Sequence, residues 1–179
     1  MNNNNETEIA TVANGCFWCS EAIFRRLKGI KSVLPGYSGG IVKNPSYDQV
    51  CTGKTGHAES IQIEFDPKVI PFEKILDIFW HTHNPTTLNR QGSDIGTQYR
   101  SIILWSDDKQ HEAVMEYLKK IKSDYSKPVV TEVKKIEIFY PAEEYHQRYF
   151  AKNPKNSYCQ LVIAPKIAKV ENMLSKAKD

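Results

Sequence analysis

Residues 8–27 read EIATVANGCFWCSEAIFRRL, and this stretch passes from strand to helix within a few positions. Residues 8–13 form a short, mostly apolar segment, which predicts a buried strand. Asn14-Gly15 then favours a turn. Beyond the turn, apolar side chains at helical spacing predict one buried helix face, made of Ala22, Ile23, Phe24 and Leu27. Cys16 therefore stands where a strand ends and a helix begins.

The order of the elements outward from this stretch predicts the fold class. The first six are strand, helix, strand, strand, helix and strand, which is the order of a split β-α-β plait. We therefore predict an α+β fold: a ferredoxin-like plait, a two-layer sandwich with a mostly antiparallel sheet and extra elements at its termini. The other predicted strands are 30–37, 57–65, 99–105 and 128–138, and the other predicted helices are 71–81, 107–121, 141–151 and 165–176.

The length of the chain, 179 residues, suits a single domain with a sizeable core, and we predict one domain over 1–179. Its asparagine-rich start, residues 1–5, has neither the positive charge nor the apolar stretch of a signal peptide. We predict that these five residues are a disordered tail.

Charge and hydropathy argue against nucleic-acid and membrane partners. The net charge is +3, and the basic residues are spread along the chain rather than clustered as a nucleic-acid site requires. No apolar stretch approaches the roughly 20 residues of a membrane helix. We predict a cytoplasmic protein, in which thiols stay reduced and cysteines are more often reactive or buried than disulfide-bonded.

Cys16 and Cys19, two of the four cysteines, are three positions apart at the start of the predicted helix. The unpaired N–H groups and partial positive charge of a helix N-terminus favour a thiolate, so we predict a lowered pKa for Cys16. Helical spacing puts both sulfurs on one face, within disulfide reach with little backbone movement. The alternatives are two merely buried thiols or a zinc site. Zinc needs about four ligands, and the other Cys and His residues offer no second closely spaced pair, so we predict no metal.

Glu59 occupies an unexpected position in the predicted strand 57–65. Side chains alternate along a strand, so Glu59 points the same way as Ile61 and Ile63. A carboxyl group on an apolar face is desolvated, which raises its pKa and favours the protonated form that a general acid needs near neutral pH. The alternative is that Glu59 lies at the end of the strand, in water or paired with an arginine.

Five segments of the chain resemble the A-type peptide methionine sulfoxide reductases. They extend over much of the sequence and occur in the family's order. They are GCFW at 15–18, GYSGG at 36–40, TGHAE at 55–59, DIGTQYRS at 94–101 and YPAEEYHQRY at 140–149. The resemblance implies an α+β sandwich built on a ferredoxin-like plait. It also implies reduction of the S epimer of methionine sulfoxide, free or in peptides and oxidised proteins, without a bound cofactor.

The resemblance implies that Cys16 is the nucleophile and that Glu59 is the acid facing the sulfoxide oxygen. Tyr37 and Tyr99 would donate hydrogen bonds to that oxygen. A sulfoxide oxygen is a poor leaving group that must gain protons while its sulfur is attacked, so these donors suit the chemistry. Taken without the resemblance, strand propensity favours the alternative that each tyrosine is an ordinary strand residue with no chemical task.

The remaining implied residues contact the substrate. Phe17 and Trp18 would hold its methyl group in apolar contact, and Asp94 and Tyr149 would complete the pocket. From the residues alone, Asp94 could instead be a turn residue and Tyr149 could simply pack its helix.

Attack by Cys16 would leave a sulfenic acid, which a second thiol condenses with to form a disulfide. Cys19 is the favoured second thiol because closing so small a loop needs little movement. In other family members a cysteine near the C-terminus resolves, and NPKNSYC at 153–159 makes Cys159 a second resolving or relay candidate. The resemblance implies thioredoxin as the reductant. The alternative function is a general thiol–disulfide oxidoreductase that uses Cys16 and Cys19, which would leave Glu59 and the tyrosines unexplained.

Overall fold

The computed structural model describes residues 7–176, so the predicted tail at 1–5 lies outside the described part. A six-stranded sheet has the order β7-β6-β1-β3-β2-β8, and a separate hairpin joins β4 and β5. The strands are β1 (Glu8–Asn14), β2 (Ile30–Ser38), β3 (Ala58–Phe65), β4 (Arg90–Gln91), β5 (Asp94–Ile95), β6 (Ser101–Trp105), β7 (Glu132–Lys135) and β8 (Phe139–Pro141). The helices are α1 (Phe17–Phe24), α2 (Tyr47–Cys51), α3 (Phe72–His81), α4 (Asp108–Ile121), α5 (Tyr149–Lys152) and α6 (Ala164–Lys176), with a π-helical turn, Cys159–Ile163, before α6.

The large sheet is mixed, with four antiparallel strand pairs and one parallel pair. The pairs β1–β3, β1–β6, β2–β3 and β2–β8 are antiparallel, whereas β6 and β7 are parallel. A parallel pair needs a crossover connection, and here α4 supplies it between β6 and β7. The coarser prediction of an α+β fold is confirmed.

One face of the sheet carries the main core. Val12 of β1 and Ile61 and Ile63 of β3 join a cluster with the buried faces of α1, α3, α4 and α6. The opposite face holds a much smaller cluster of Ala13, Ala58, Ile102 and Leu104, with Ile136 packed against it. Because side chains alternate along β3, Glu59 shares the helix-covered face with Ile61 and Ile63.

Several helices and strands have other boundaries than the sequence predicts, in part because residues distant in the chain bind the backbone there. The predicted helix 141–151 is broken: Arg148 has φ 57°, and its N–H donates to the Glu21 carboxylate on α1 at 2.9 Å. Tyr99, predicted as the start of a strand, lies in a short 3-10 turn at Thr97–Tyr99 that follows Gly96. The predicted strand 128–138 shortens to β7. Within residues 7–176, no helix is long and apolar enough to span a bilayer.

Candidate active site

A small cavity of about 60 Å³ opens at the N-terminus of α1. It is the cavity that brings together the two chemical groups singled out by the sequence, the Cys16 thiol and the Glu59 carboxyl. Within the described residues, four larger hollows contain no cysteine, so chemistry rather than volume identifies the site. The cavity is lined by Cys16, Phe17, Trp18, Tyr47, Glu59, Asp94, Tyr99 and Tyr158.

Cys16 is the N-cap residue of α1, and 7% of its surface is exposed. The predicted lowering of its pKa is wrong for the substrate-free protein: burial raises the pKa of Cys16 well above its ordinary value. The helix N-terminus does not offset this cost, because the Cys16 side chain accepts no capping hydrogen bond. The N–H of Phe17, the first residue of α1, donates instead to Glu59 Oε2 at 3.1 Å.

Cys19 lies one helical turn after Cys16, and 4% of its surface is exposed. A hydrogen bond with the Cys16 thiol is the main reason that the pKa of Cys19 is lowered to about 7. Of the two buried thiols, Cys19 is therefore the one that ionises more readily. Both are free thiols in this structure.

Glu59 is buried, with 2% of its surface exposed, and the alternative of a solvated strand end is wrong. Desolvation raises the pKa of Glu59 to about 8, and the hydrogen bond from the Phe17 N–H opposes this shift only in part. The nearby carboxyl of Asp94 raises the pKa further. Glu59 therefore holds a proton at neutral pH, beside the Cys16 thiol.

The two predicted phenol donors are placed differently. Tyr99 lines the cavity, and burial together with the charge of Glu59 raises the pKa of its hydroxyl. Tyr37 does not line it: its hydroxyl donates to Glu143 Oε2 at 2.7 Å. The cavity position expected for Tyr37 is held by Tyr47, the first residue of α2. This corrects the placement of Tyr37.

Phe17 and Trp18 line the cavity with apolar surface, as predicted. The Trp18 indole stacks on Tyr149 with ring centroids 3.6 Å apart and planes 5° apart. Trp18 Nε1 also donates to Nδ1 of the buried His146 at 3.0 Å. Tyr149 therefore packs against Trp18 and does not line the cavity. The prediction had placed Tyr149 in direct contact with the substrate.

Asp94 lines the cavity and accepts a hydrogen bond from the Tyr158 hydroxyl at 2.8 Å. Tyr158 also lies 3.9 Å from the Cys19 sulfur and edge-on to Trp18. Cys159, the next residue, is fully buried in the main core, where desolvation raises its pKa. Cys51, at the end of α2, is exposed.

Sequence reasoning missed three residues at this site: Tyr47, Tyr158 and His146. Tyr158 lies in the segment 153–159 that resembles the C-terminal resolving motif. In that segment the sequence pointed to the thiol of Cys159 and gave no separate signal for the Tyr158 hydroxyl. His146 lies within the segment 140–149 that resembles the reductase family. Tyr47 lies outside the five family-like segments, and the capping box that starts α2 at Ser46 and Gln49 was its only local signal.

Known proteins resemble this chain along most of its length. A family model described as peptide methionine sulfoxide reductase matches residues 8–178. The peptide methionine sulfoxide reductase MsrA of Saccharolobus solfataricus is 53% identical over 162 residues, which are 90% of this chain and 92% of that relative.

Solved structures resemble the fold as well. The reduced form of Mxr1 from Saccharomyces cerevisiae has a TM-score of 0.82 at 34% identity and covers 89% of this chain and 92% of its own. Mxr1 in complex with Trx2 has a TM-score of 0.59 at 24% identity, over 83% of this chain and 88% of its own. From the family match and the identity over most of the chain, this protein belongs to the peptide methionine sulfoxide reductase family.

Proposed function

We propose that this enzyme reduces the S-sulfoxide of methionine, free or within peptides and oxidised proteins, by transferring the oxygen to Cys16. The observation that carries the proposal is the pairing of a buried thiol with a protonated carboxylic acid at one cavity: Glu59, with its pKa raised to about 8, lines the same 60 Å³ space as Cys16. Thiol–disulfide exchange removes no oxygen, so it does not require an acid that protonates a departing oxygen.

In the first step the Cys16 sulfur attacks the sulfoxide sulfur, and Glu59 gives its proton to the sulfoxide oxygen. The hydroxyl oxygen then bonds to the Cys16 sulfur, while the sulfur–sulfur bond formed by the attack and the sulfur–oxygen bond of the substrate both break. Methionine leaves, and Cys16 becomes a sulfenic acid. The proton that Cys16 loses replaces the one that Glu59 gave, so one thiol and one sulfoxide yield one sulfenic acid and one thioether. Protonation of Glu59 also removes a negative charge that would oppose the Cys16 thiolate.

The cavity lining suits the other parts of the substrate. The hydroxyls of Tyr47 and Tyr99 are donors for the sulfoxide oxygen, whose negative charge grows during the attack. Phe17 and Trp18 supply apolar contact for the methyl group. Asp94 holds Tyr158 in place at the edge of the cavity.

Replacing each tyrosine by phenylalanine tests which hydroxyl donates a hydrogen bond to the sulfoxide oxygen. Tyr47→Phe is expected to lower kcat by about one to two orders of magnitude, since it removes a donor to the developing charge. Tyr37→Phe is the matched control and is expected to stay within about threefold of wild type, because its hydroxyl faces Glu143. Steady-state rates on methionine S-sulfoxide compare the two, and the opposite ranking would restore Tyr37 to the mechanism.

In the second step Cys19 attacks the Cys16 sulfenic acid. Cys19 is favoured over Cys159 because it lies one helical turn after Cys16 at the start of α1, whereas Cys159 is enclosed in the core with none of its surface exposed. Attack by Cys159 would first need the π-helical turn that carries it to open.

Cys19→Ser separates the two steps. The variant is expected to release one methionine per enzyme and then stop, with the sulfenic acid remaining on Cys16, because a hydroxyl does not condense with a sulfenic acid as a thiol does. Methionine yield without reductant and turnover with thioredoxin are the two measurements. Undiminished thioredoxin-driven turnover would transfer the resolving role to Cys159.

The reductant proposed for the disulfide is thioredoxin, acting by thiol–disulfide exchange. The solved complex of the relative Mxr1 with Trx2 supports this choice. We further propose a cytoplasmic protein that functions as one domain. Its central unit would be a split β-α-β plait, which the antiparallel order β6-β1-β3-β2 supports.

The proposal is tested by supplying thioredoxin and either epimer of methionine sulfoxide. The S epimer is expected to be consumed and the R epimer to be left essentially unchanged. Reduction of insulin disulfides without reduction of either sulfoxide would favour the general oxidoreductase instead.

A further inference from the structure

Lys166 is the positively charged side chain closest to the cysteine pair. It lies near the start of α6, and its Nζ is 3.7 Å from the Cys19 sulfur. The buried neighbours Ile167 and Val170 pack α6 into the main core, and this places the half-buried Lys166 at the edge of the packed face. Among residues 7–176, Lys166 has no salt bridge to a carboxylate and no hydrogen bond other than the one to Cys19.

The other groups around Cys19 cannot supply a positive charge. The Tyr158 hydroxyl is 3.9 Å from the sulfur, but its proton is directed to Asp94 Oδ2 at 2.8 Å. Cys16 donates its thiol hydrogen but remains neutral, and Asp94 and Cys159 can contribute only negative charge. His83, which faces Lys166 from the loop after α3, is neutral because burial lowers its pKa to about 4.

We propose that Lys166 is a catalytic residue of the second step, where its ammonium group holds Cys19 as the thiolate that attacks oxidised Cys16. The inference rests on the proposed function, in which Cys19 is the resolving thiol. A thiolate buried to this extent needs a positive partner, because desolvation alone would return the proton to sulfur. The pKa of about 7 at Cys19 agrees with this, since Lys166 is one of the groups that lower it.

Groups at the site supply every atom and proton that disulfide formation between Cys19 and Cys16 requires. The Cys19 thiolate forms a bond to the Cys16 sulfur, and the bond between that sulfur and its hydroxyl oxygen breaks. The hydroxyl leaves as water, taking a proton from the Glu59 carboxylic acid. Cys16 is reduced from sulfenic acid to disulfide while Cys19 is oxidised from thiolate to disulfide, and Lys166 keeps its proton throughout.

The test is Lys166→Met, followed through one turnover without thioredoxin. The reduced variant is mixed with one equivalent of methionine S-sulfoxide and quenched at intervals, and both methionine and the Cys16–Cys19 disulfide are quantified. Methionine release is expected to stay within about twofold of wild type. Disulfide formation at pH 7 is expected to slow by about three- to tenfold, because less of Cys19 is thiolate.

The pH profile distinguishes a charge effect from a packing effect. As pH rises, the disadvantage of Lys166→Met should shrink, and near pH 9 the variant should equal or exceed wild type, since a more basic thiolate is the stronger nucleophile. Lys166→Arg should restore most of the rate at pH 7. Lys169→Met, an exposed lysine on the same helix, is the control and should match wild type.

Three results would overturn the role of Lys166. They are wild-type disulfide formation in Lys166→Met at pH 7, a defect that persists unchanged at pH 9, and an equal defect in Lys169→Met. A failure of the proposed function would be distinct, because wild-type protein would then release no methionine or would link Cys16 to Cys159.

Discussion

Replacing Cys16 by serine is expected to abolish sulfoxide reduction, lowering kcat by at least about four orders of magnitude. Serine keeps the size of the side chain and the N-cap position, so the helix and the cavity should survive. A hydroxyl is far harder to ionise than a thiol, and in a site that already raises the pKa of Cys16 it would remain protonated and unreactive. Methionine formed from the S-sulfoxide in the presence of thioredoxin measures the loss.

Cys51→Ser is the control for this experiment. Cys51 is exposed at the end of α2 and does not line the cavity, so the same exchange of sulfur for oxygen should leave the rate within about twofold of wild type. Methionine production by Cys16→Ser at more than a trace rate would contradict the assignment of the nucleophile.

Glu59→Gln is expected to slow the first step by about two to four orders of magnitude. The amide has the same shape, and its oxygen can still accept the Phe17 N–H, so the start of α1 should be preserved. It cannot deliver an acidic proton to the sulfoxide oxygen. Single-turnover methionine release measures the effect, and Glu64→Gln, on the same strand but the opposite face, is the matched control. A loss of only a few-fold would remove Glu59 from the mechanism.

The pH dependence of the first-step rate is an independent test of Glu59. Because the pKa of Glu59 is raised to about 8, its acid form is abundant below pH 8 and disappears as the pH rises through that value. The Cys16 thiol, whose pKa is raised, is still ionising in this range, so the rise of the wild-type first-step rate with pH should level off above about pH 8. Glu59→Gln has no proton to lose there and should keep rising, and a profile for the variant that levels off in parallel with wild type would assign the change to another group.

Local patterns in the sequence were sufficient to predict the positions of Cys16 and Glu59. The strand–turn–helix transition at 8–27 placed Cys16 at the start of α1, where the structure has it. Alternation along β3 placed Glu59 with Ile61 and Ile63 on the covered face. Both inferences use periodicities of 3.6 and 2 residues, which depend on neighbours in sequence and not on distant contacts.

Distant contacts decided what the sequence could not predict. Tyr37 lies in β2 and Tyr47 begins α2, and their roles differ because of Glu143, which accepts hydrogen bonds from the hydroxyl of Tyr37 and from the backbone N–H of Tyr47. The raised pKa of Cys16 reflects its burial and the proximity of Glu59, a residue 42 positions after Phe17, and neither follows from the local sequence. The parallel pair β6–β7 likewise required knowing where α4 returns the chain.

Trapping of the sulfenic acid is the most direct test of Cys16 as the nucleophile. Reduced wild-type enzyme is mixed with one equivalent of methionine S-sulfoxide and no reductant, quenched within the first turnover in the presence of a diketone that labels sulfenic acids, and digested for mass spectrometry. We expect one methionine per enzyme, a label confined to Cys16, and replacement of that label at later times by a Cys16–Cys19 disulfide. Methionine released while Cys16 is recovered as an unlabelled free thiol would contradict this assignment.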